Sequence, residues 1–509
     1  MTRFHSILWP RPSTNGGGRR IRQDAVRDLN LDRIFAAIRA DPDPEFREYL
    51  DLGLSDRDAV IYRHDVFRDV ANDGIRTALV EFVREMAAMR SYSTISARVS
   101  HPQQKHRFHL DAVLAYCALL IELHRALSAA PVRSAGLRAW RDHLTEYLAT
   151  AAFTALRADS RALDERLRAV RFSVSLRDQQ ITVDRHDGRA DYTAAVQQLF
   201  HPLLGESRPA DTATVHEWPD MNHVEERILD HLVALFPEPF AALDAFWTTH
   251  REFIDSAVAT FDHEITFYLR YRMMMDRLGP ENFCYPDVTE TYDSIAVVGA
   301  YDLALALTLR RDGTGPVAND FALDGTGRGE YVLVVTGPNQ GGKTTFARSI
   351  GQLAHLTALG CPVPARHARF PLVDRLFTHF ERSEELSDPE GTLQEEIARM
   401  RATLGAVTDH SLVVMNESFS STTTADALDI GTEVLGRLVA THTLTVFVTF
   451  LDELAALPAV VSMVAGVDSD PDERTFRLER RPADGKAHAV AMAEKFGLTY
   501  DAIVDGRHR

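Results

Sequence analysis

The stretch GPNQGGKT, residues 337–344, constrains the fold more than any other part of the chain. An apolar run, YVLVV (331–335), precedes it. The segment TFARSIGQLAHLTALG (345–360) follows and sets Phe346, Ile350, Leu353 and Thr357 on one side of a helix. A buried strand, a glycine-rich turn and a helix in that order make the phosphate-loop unit of an α/β sheet. Each position has a physical task. Gly337, Gly341 and Gly342 let backbone N–H groups converge on phosphate oxygens, and Pro338, Asn339 and Gln340 complete the turn. The helix start adds its positive end. Lys343 reaches the β and γ phosphates, Thr344 offers a hydroxyl to Mg²⁺, and Thr345 continues the loop into the helix. The motif predicts a bound nucleoside triphosphate and leaves its use open.

With 509 residues the chain has room for about two to four domains. Hydrophobic residues make up 45% and charged residues 25%, which permits a sizeable core. A net charge of −17 excludes an all-over basic coat for nucleic acid, though not a local basic groove. The three cysteines, Cys117, Cys284 and Cys361, form no C-x-x-C pair, so neither a zinc ribbon nor a disulfide framework is indicated. The apolar run before Pro10 is too short for a signal peptide, and no other run approaches a membrane span. A cytoplasmic protein without membrane partners is expected.

Residues 1–27, with RPSTNGGGRR at 11–20, read as a mobile N-terminal segment. Residues 28–285 read as mainly helical. AVLAYCALLIELHRAL (112–127) is apolar almost all round, and GLRAWRDHLTEYLATAAFTALRA (136–158) is amphipathic. VRFSVSL and QITVDR (170–176, 180–185) alternate as a hairpin. Helix returns at 223–236 and again at 261–278, where Gly279-Pro280 ends it, and FCYPDV (283–288) reads as a linker. From 286 to 509, YVLVV, LVVM (412–415) and LTVFVTF (444–450) alternate with helices, which predicts a mostly parallel sheet.

GPNQGGKTT resembles the GPN-x-GGKST loop of the MutS family of DNA mismatch-repair ATPases, whose ATPase module is of the ABC class. The resemblance continues in order through CPVPA (361–365), PLVDRLFTHF (371–380), SDPEGTLQEEIARM (387–400) and LVVMNESFSSTTTADAL (412–428). It implies an ABC-class P-loop NTPase at 286–509 with C-terminal dimerisation helices at about 485–503. Ahead of that it implies a mainly α-helical lever or core domain with a small hairpin. It implies ATP with Mg²⁺, a homodimer, and action on DNA or a DNA-associated partner. In PVAND (316–320), Val317 and Asn319 match the family's adenine-edge segment. Gly391 and Thr392 stand at the signature segment, and Thr422, Thr424 and Asp426 match the D-loop; both segments reach the opposite subunit's site in that family. For the signature stretch, a solvated acidic helix start fits Glu395 and Glu396 equally well.

Three departures from the family pattern bear on the chemistry. Asn416 stands where an Asp orients waters on Mg²⁺; Asn keeps an acceptor oxygen and loses the charge. Glu417 remains to polarise the attacking water. Thr449-Phe450 replaces Thr-His, removing a donor near the γ-phosphate, an effect of about 10²- to 10³-fold in rate. Gly391 replaces the signature serine. The expected catalytic set is therefore Lys343, Asn416 and Glu417, with firm ATP binding and slow turnover. The metal set is Thr344 and, through water, Asn416.

The mixed α/β mismatch-recognition domain is not expected, because Phe46-Arg47-Glu48 sits in a helical context. At 170–215, Arg171, Arg177, Arg185 and Arg189 alternate with acids, which reads as a solvated hairpin rather than a phosphate-binding stripe. Two function classes remain: a nucleotide-gated ATPase acting on DNA, and a hydrolysis-deficient switch or scaffold that recruits a protein partner.

Overall fold

The computed structural model describes residues 4–11, 19–39, 44–177, 180–186, 221–310, 315–381, 389–467 and 474–483. The chain divides into two compact units, and the division interleaves. One unit comprises Asp73–Val132 and Arg138–Asp262 together with Met1–Phe4; the other comprises His5–Asn72, Arg133–Leu137 and His263–Arg509. The block 28–285 is thus divided between them rather than forming one unit ahead of residue 286.

The first unit is built mainly of helices. Pro102–Ala129 is long and apolar enough to cross a membrane by length and composition, a point that the reading of the sequence missed. Its buried residues, among them Leu110, Val113, Tyr116 and Leu120, pack against the helices Asp73–Arg98, Ala151–Arg168 and Pro237–Thr249. Arg107 fixes the pairing with Ala151–Arg168, binding Asp111 at 2.7 Å and Asp164 at 2.8 Å. The amphipathic run 136–158 is two helices, because the Thr150 side chain accepts from the Phe153 N–H and starts a new one. The strands Phe172–Arg177 and Gln180–Arg185 pair antiparallel. Arg171 donates to the Arg168 carbonyl and Arg185 to that of Leu235, so both are held by local backbone. The Arg177 side chain, Arg189 and the rest of 187–215 lie outside the described residues.

In the second unit, ten strands follow residue 286 among the described residues: β1 (Asp287–Thr289), β2 (Ser294–Ala300), β3 (Asn319–Asp324), β4 (Val332–Thr336), β5 (His367–Pro371), β6 (Arg375–Phe380), β7 (Ser411–Asn416), β8 (Leu444–Val448), β9 (Val460–Val467) and β10 (Arg474–Arg480). A six-stranded sheet runs β6-β7-β8-β4-β9-β10, parallel throughout except for β10, which pairs antiparallel at the edge. Every residue of β4 and β8 is buried, as a sheet covered on both faces requires. On one face Phe377, Val413, Met415 and Phe447 form a core with Leu435 and Leu438 of the helix Thr424–Ala440. The helix Lys343–Ala358 also packs on β7 and β8. A mixed four-stranded sheet runs β1-β5-β2-β3. The expected linker at 283–288 is not free chain. Cys284 and Val363 exchange backbone hydrogen bonds at 3.1 and 2.8 Å, and β1 begins within it.

The helix Lys343–Ala358 is buried almost all round, so its polar side chains need internal partners. The N-terminal part of this unit supplies them. Arg348 Nε donates to the Asp28 carbonyl at 2.8 Å, Gln352 Nε2 to that of Leu29 at 2.9 Å, and His355 Nε2 lies 2.9 Å from that of Leu50. Burial pushes His355 down to about 4, so the ring is neutral. Gly351 faces Leu29, whose Cδ2 would stand 2.6 Å from an added Cβ.

The segment expected to be mobile is also partly built in. Ile7 and Leu8 are fully buried and Trp9 nearly so. Glu264 accepts from Ser6 Oγ and, at 2.7 Å, from the Ile7 N–H; Tyr268 donates to the Ile7 carbonyl at 2.6 Å. Arg63, fully buried, donates to the Leu8 and Leu359 carbonyls at 3.0 and 2.9 Å and lies over the Trp9 ring. Residues 12–18 of the expected mobile segment are outside the described residues.

Two predictions follow from this packing. Gly351→Ala, which raises helix propensity by about 1 kcal/mol, will instead destabilise by about 1–3 kcal/mol through overpacking, and Leu29→Ala added to it will recover part of the loss in urea denaturation. Burial raises Glu264 to about 7 from its ordinary 4.5, so the folded chain holds a proton the unfolded chain releases. The Glu264 contribution to stability is therefore present at low pH and lost as pH rises between 4.5 and about 7. Relative to wild type, Glu264→Gln will gain up to roughly 3 kcal/mol between pH 5 and 8 in denaturant melts.

Candidate functional site

The loop between β4 and the helix Lys343–Ala358 carries three left-handed residues: Gly337 at φ 116°, Gln340 at 63° and Gly342 at 87°. At Gly337 an added Cβ would also lie 3.0 Å from Ala465 of β9, so glycine is required there twice over. Lys343 is buried, and its ammonium donates to the Gly337 carbonyl at 2.6 Å and the Pro338 carbonyl at 3.3 Å, with Asn339 Oδ1 at 3.4 Å. The lysine thus spans its own loop and fixes its curvature.

A cavity of about 600 Å³ opens over this loop, lined by Asn339 through Thr345 on one side and Glu417 on another. Its far wall is Tyr301, Pro316, Val317, Asn319 and Phe476. Asn319, expected at the nucleotide edge, uses both ends of its amide on β10: Nδ2 donates to the Phe476 carbonyl at 3.2 Å, and Oδ1 accepts from the Leu478 N–H at 2.7 Å. That clamp holds Phe476, a residue 43% exposed, at the mouth of the cavity, with its backbone at φ 53°. Sequence reasoning missed Phe476. In RTFRLER it looks like one more residue of an alternating strand, and only the pairing of β10 to β9 brings it over the loop. The wall itself is tied to the phosphate-loop helix. Asp302 accepts from Gln352 Nε2 at 2.8 Å, and Gln352 Oε1 accepts from the Leu303 N–H at 2.8 Å.

Asn416 ends β7 opposite the helix start. Thr344 Oγ1 donates to its Oδ1 at 2.7 Å. Two neutral oxygens thus meet where the motif places Mg²⁺, and among the described residues no three His, Cys, Asp or Glu side chains gather as a metal cluster. Thr344 directly, and Asn416 through water, are the side chains that would hold a magnesium ion brought in on phosphate oxygens. Glu417 follows at φ 50° and Phe419 at 66°, a strained turn of the kind found where a side chain must be aimed. The Glu417 N–H is fixed by the Val448 carbonyl at 2.9 Å. Behind this turn, buried His379 lies 2.8 Å from Ser418 Oγ and 3.2 Å from the Glu396 carbonyl of the helix Pro389–Leu404.

The remaining expected residues stand apart. Thr449 is buried after β8, where its N–H donates to the Val335 carbonyl at 3.0 Å and its Oγ1 accepts from Leu451 N–H at 3.1 Å. Phe450 is 53% exposed and does not line the cavity. Asp426 accepts from Thr422 and Thr423 at the exposed start of the helix Thr424–Ala440. The Gly391 and Thr392 side chains, and the helices expected at 485–503, lie outside the described residues.

A strand, a left-handed glycine loop, a buried lysine and a threonine at a helix start define a P-loop nucleotide-binding domain. Residues 333–501 match the family described as MutS domain V. The DNA mismatch repair protein MutS of Ruegeria pomeroyi is 31% identical over 241 residues, which is 46% of this chain and 27% of that protein. The protein of the same description from Brevibacillus brevis is 30% identical over 219 residues, 42% of this chain and 25% of that one. Over this domain the chain is similar to the MutS family. The matched region spans only about a quarter of the length of those relatives.

Phe476→Ala will weaken nucleotide binding about tenfold through loss of a stacking face, while Phe476→Tyr will stay within about twofold. Equilibrium titration with a fluorescent ATP analogue reads both.

Proposed function

We propose that this chain is an ABC-class ATPase of low turnover that binds Mg²⁺·ATP and acts as a nucleotide-gated homodimer on DNA or a DNA-associated partner in the cytoplasm. The observation that carries the reading is the Thr344–Asn416 hydrogen bond beside a fixed Glu417. It keeps the geometry of a hydrolytic site and removes one negative charge from the metal side.

In this reading Lys343 and the loop N–H groups hold the β and γ phosphates, and Phe476 and Val317 take the base. Bound Mg²⁺ supplies charge neutralisation on the phosphates. Glu417 accepts a hydrogen bond from the attacking water and orients it in line with the γ-phosphorus. The exposed D-loop residues Thr422, Thr424 and Asp426 face a second copy, as does the segment with Gly391 and Thr392. The hydrolysis-deficient switch or scaffold is the second reading, favoured by the exposed Phe450 ring, which offers no donor to a γ-phosphate.

Steady-state ATP hydrolysis with and without duplex DNA tests the first reading. Wild type is expected to turn over below about 1 s⁻¹, the low end of the ordinary enzyme range. DNA is expected to change that rate and Glu417→Gln to abolish it. Asn416→Asp will tighten the Mg²⁺ requirement and raise turnover. Tight ATP binding with no hydrolysis above the Glu417→Gln background would falsify the ATPase reading and leave the scaffold.

A further inference from the structure

A second cavity, of about 1000 Å³, lies on the other side of the wall formed by Tyr301, Pro316, Val317 and Asn319. Four arginines line it: Arg277, Arg310, Arg366 and Arg477. Among the described residues none of the four guanidinium groups has an ion pair or hydrogen bond. Arginines close in sequence to three of them do. In the helix that carries Arg277, Arg272 binds Asp276 at 2.8 Å. Near Arg366, Arg369 on β5 lies 3.5 Å from Asp287. On the strand of Arg477, Arg480 binds Glu330 at 2.5 Å. In a chain of net charge −17, four arginines on one cavity without a partner among the described residues run against the general trend.

The lining carboxylates do not balance them. Asp320 accepts from the Gly299 N–H at 2.7 Å, and Glu479 pairs with Arg481 at 3.8 Å. Tyr301 is in the wall of both cavities, and among the described residues its buried hydroxyl has no hydrogen-bond partner.

We propose that this chamber is an anion site for a small ligand carrying two or more phosphate groups, distinct from the phosphate loop. Guanidinium forks match phosphate oxygens in pairs, which is why arginine serves at such sites. The volume suits a small molecule, and the lining encloses a concavity rather than forming the extended stripe a duplex needs. Because the two cavities share a wall, the occupant sits beside the nucleotide and stabilises one position of Val317 and Asn319.

Titration calorimetry of sodium tripolyphosphate into the full chain, already saturated with Mg²⁺·ADP, tests this. One salt-sensitive site is expected. Arg366→Gln with Arg477→Gln is expected to weaken it at least about tenfold and to leave ADP affinity within about twofold. Both arginines are exposed, so the pair is expected to fold, and matched thermal melts check that. No binding to the ADP-saturated chain, or equal binding by the double variant, overturns the site. A single-stranded oligonucleotide that binds more tightly than tripolyphosphate and is weakened by the same pair overturns the small-ligand assignment in favour of a nucleic-acid backbone. Failure of ADP to bind at all sinks the nucleotide reading instead. The chamber is then tested by tripolyphosphate on Lys343→Ala, where retained, arginine-dependent binding supports it and its loss overturns it.

Discussion

A helix packed on a sheet is usually covered on one face and left partly wet on the other. Here Lys343–Ala358 is enclosed, and that enclosure sets the requirements of the unit around it. Arg348, Gln352 and His355 sit where an apolar residue would be simpler, and each needs a carbonyl. Asp28, Leu29 and Leu50 provide them from far back in the chain. The last turn follows the same rule: the Ala358 carbonyl accepts from the Leu54 N–H at 2.7 Å, and that of Leu359 from Arg63. The placement of the phosphate-loop helix therefore rests on residues from far back in the chain.

At the site, the balance of charge and neutral oxygen separates this chain from a fully charged P-loop ATPase. A carboxylate at Asn416 would attract Mg²⁺ and repel Glu417, its neighbour in sequence. The amide does neither, and it gives Thr344 a fixed acceptor. Glu417 is aimed by backbone, through its left-handed φ and the Val448 carbonyl, rather than by a charged neighbour. Geometry has been kept where charge has been given up. His379 extends this arrangement, joining the Ser418 turn to the helix Pro389–Leu404 through buried hydrogen bonds.

How much of this the sequence disclosed depended on range. The strands β4, β7 and β8 and the phosphate loop were legible because their determinants are local: continuous apolar runs, glycines at fixed spacing, a lysine and a threonine. Asn416 and Glu417 were singled out by the resemblance of LVVMNESFSSTTTADAL to a family segment, and they fall at the end of β7. Phe476 was not, since its place over the loop comes from an edge strand and from Asn319 more than a hundred residues earlier. The burial of Ile7 to Trp9 was hidden for the same reason. Its partners, Glu264, Tyr268 and Arg63, are spread across the chain, and a short apolar run beside RPSTNGGGRR carries no period to read. The break in the run 136–158 turned on a single cap, Thr150, which periodicity does not register.

The interleaving of the two units has a bearing on how the protein comes off the ribosome. Residues 5–72 emerge early, yet the helix they enclose begins at Lys343. Both long excursions of the helical unit are complete before that helix exists. Leu29, Leu50 and the Trp9 strap must wait through most of translation with their apolar surface unclaimed, a long-range closure of the kind that folds slowly and exposes chains to aggregation. A fragment cut at residue 286 discards the cover of its own phosphate-loop helix, so the nucleotide-binding half of this protein is a unit in space without being a contiguous piece of chain.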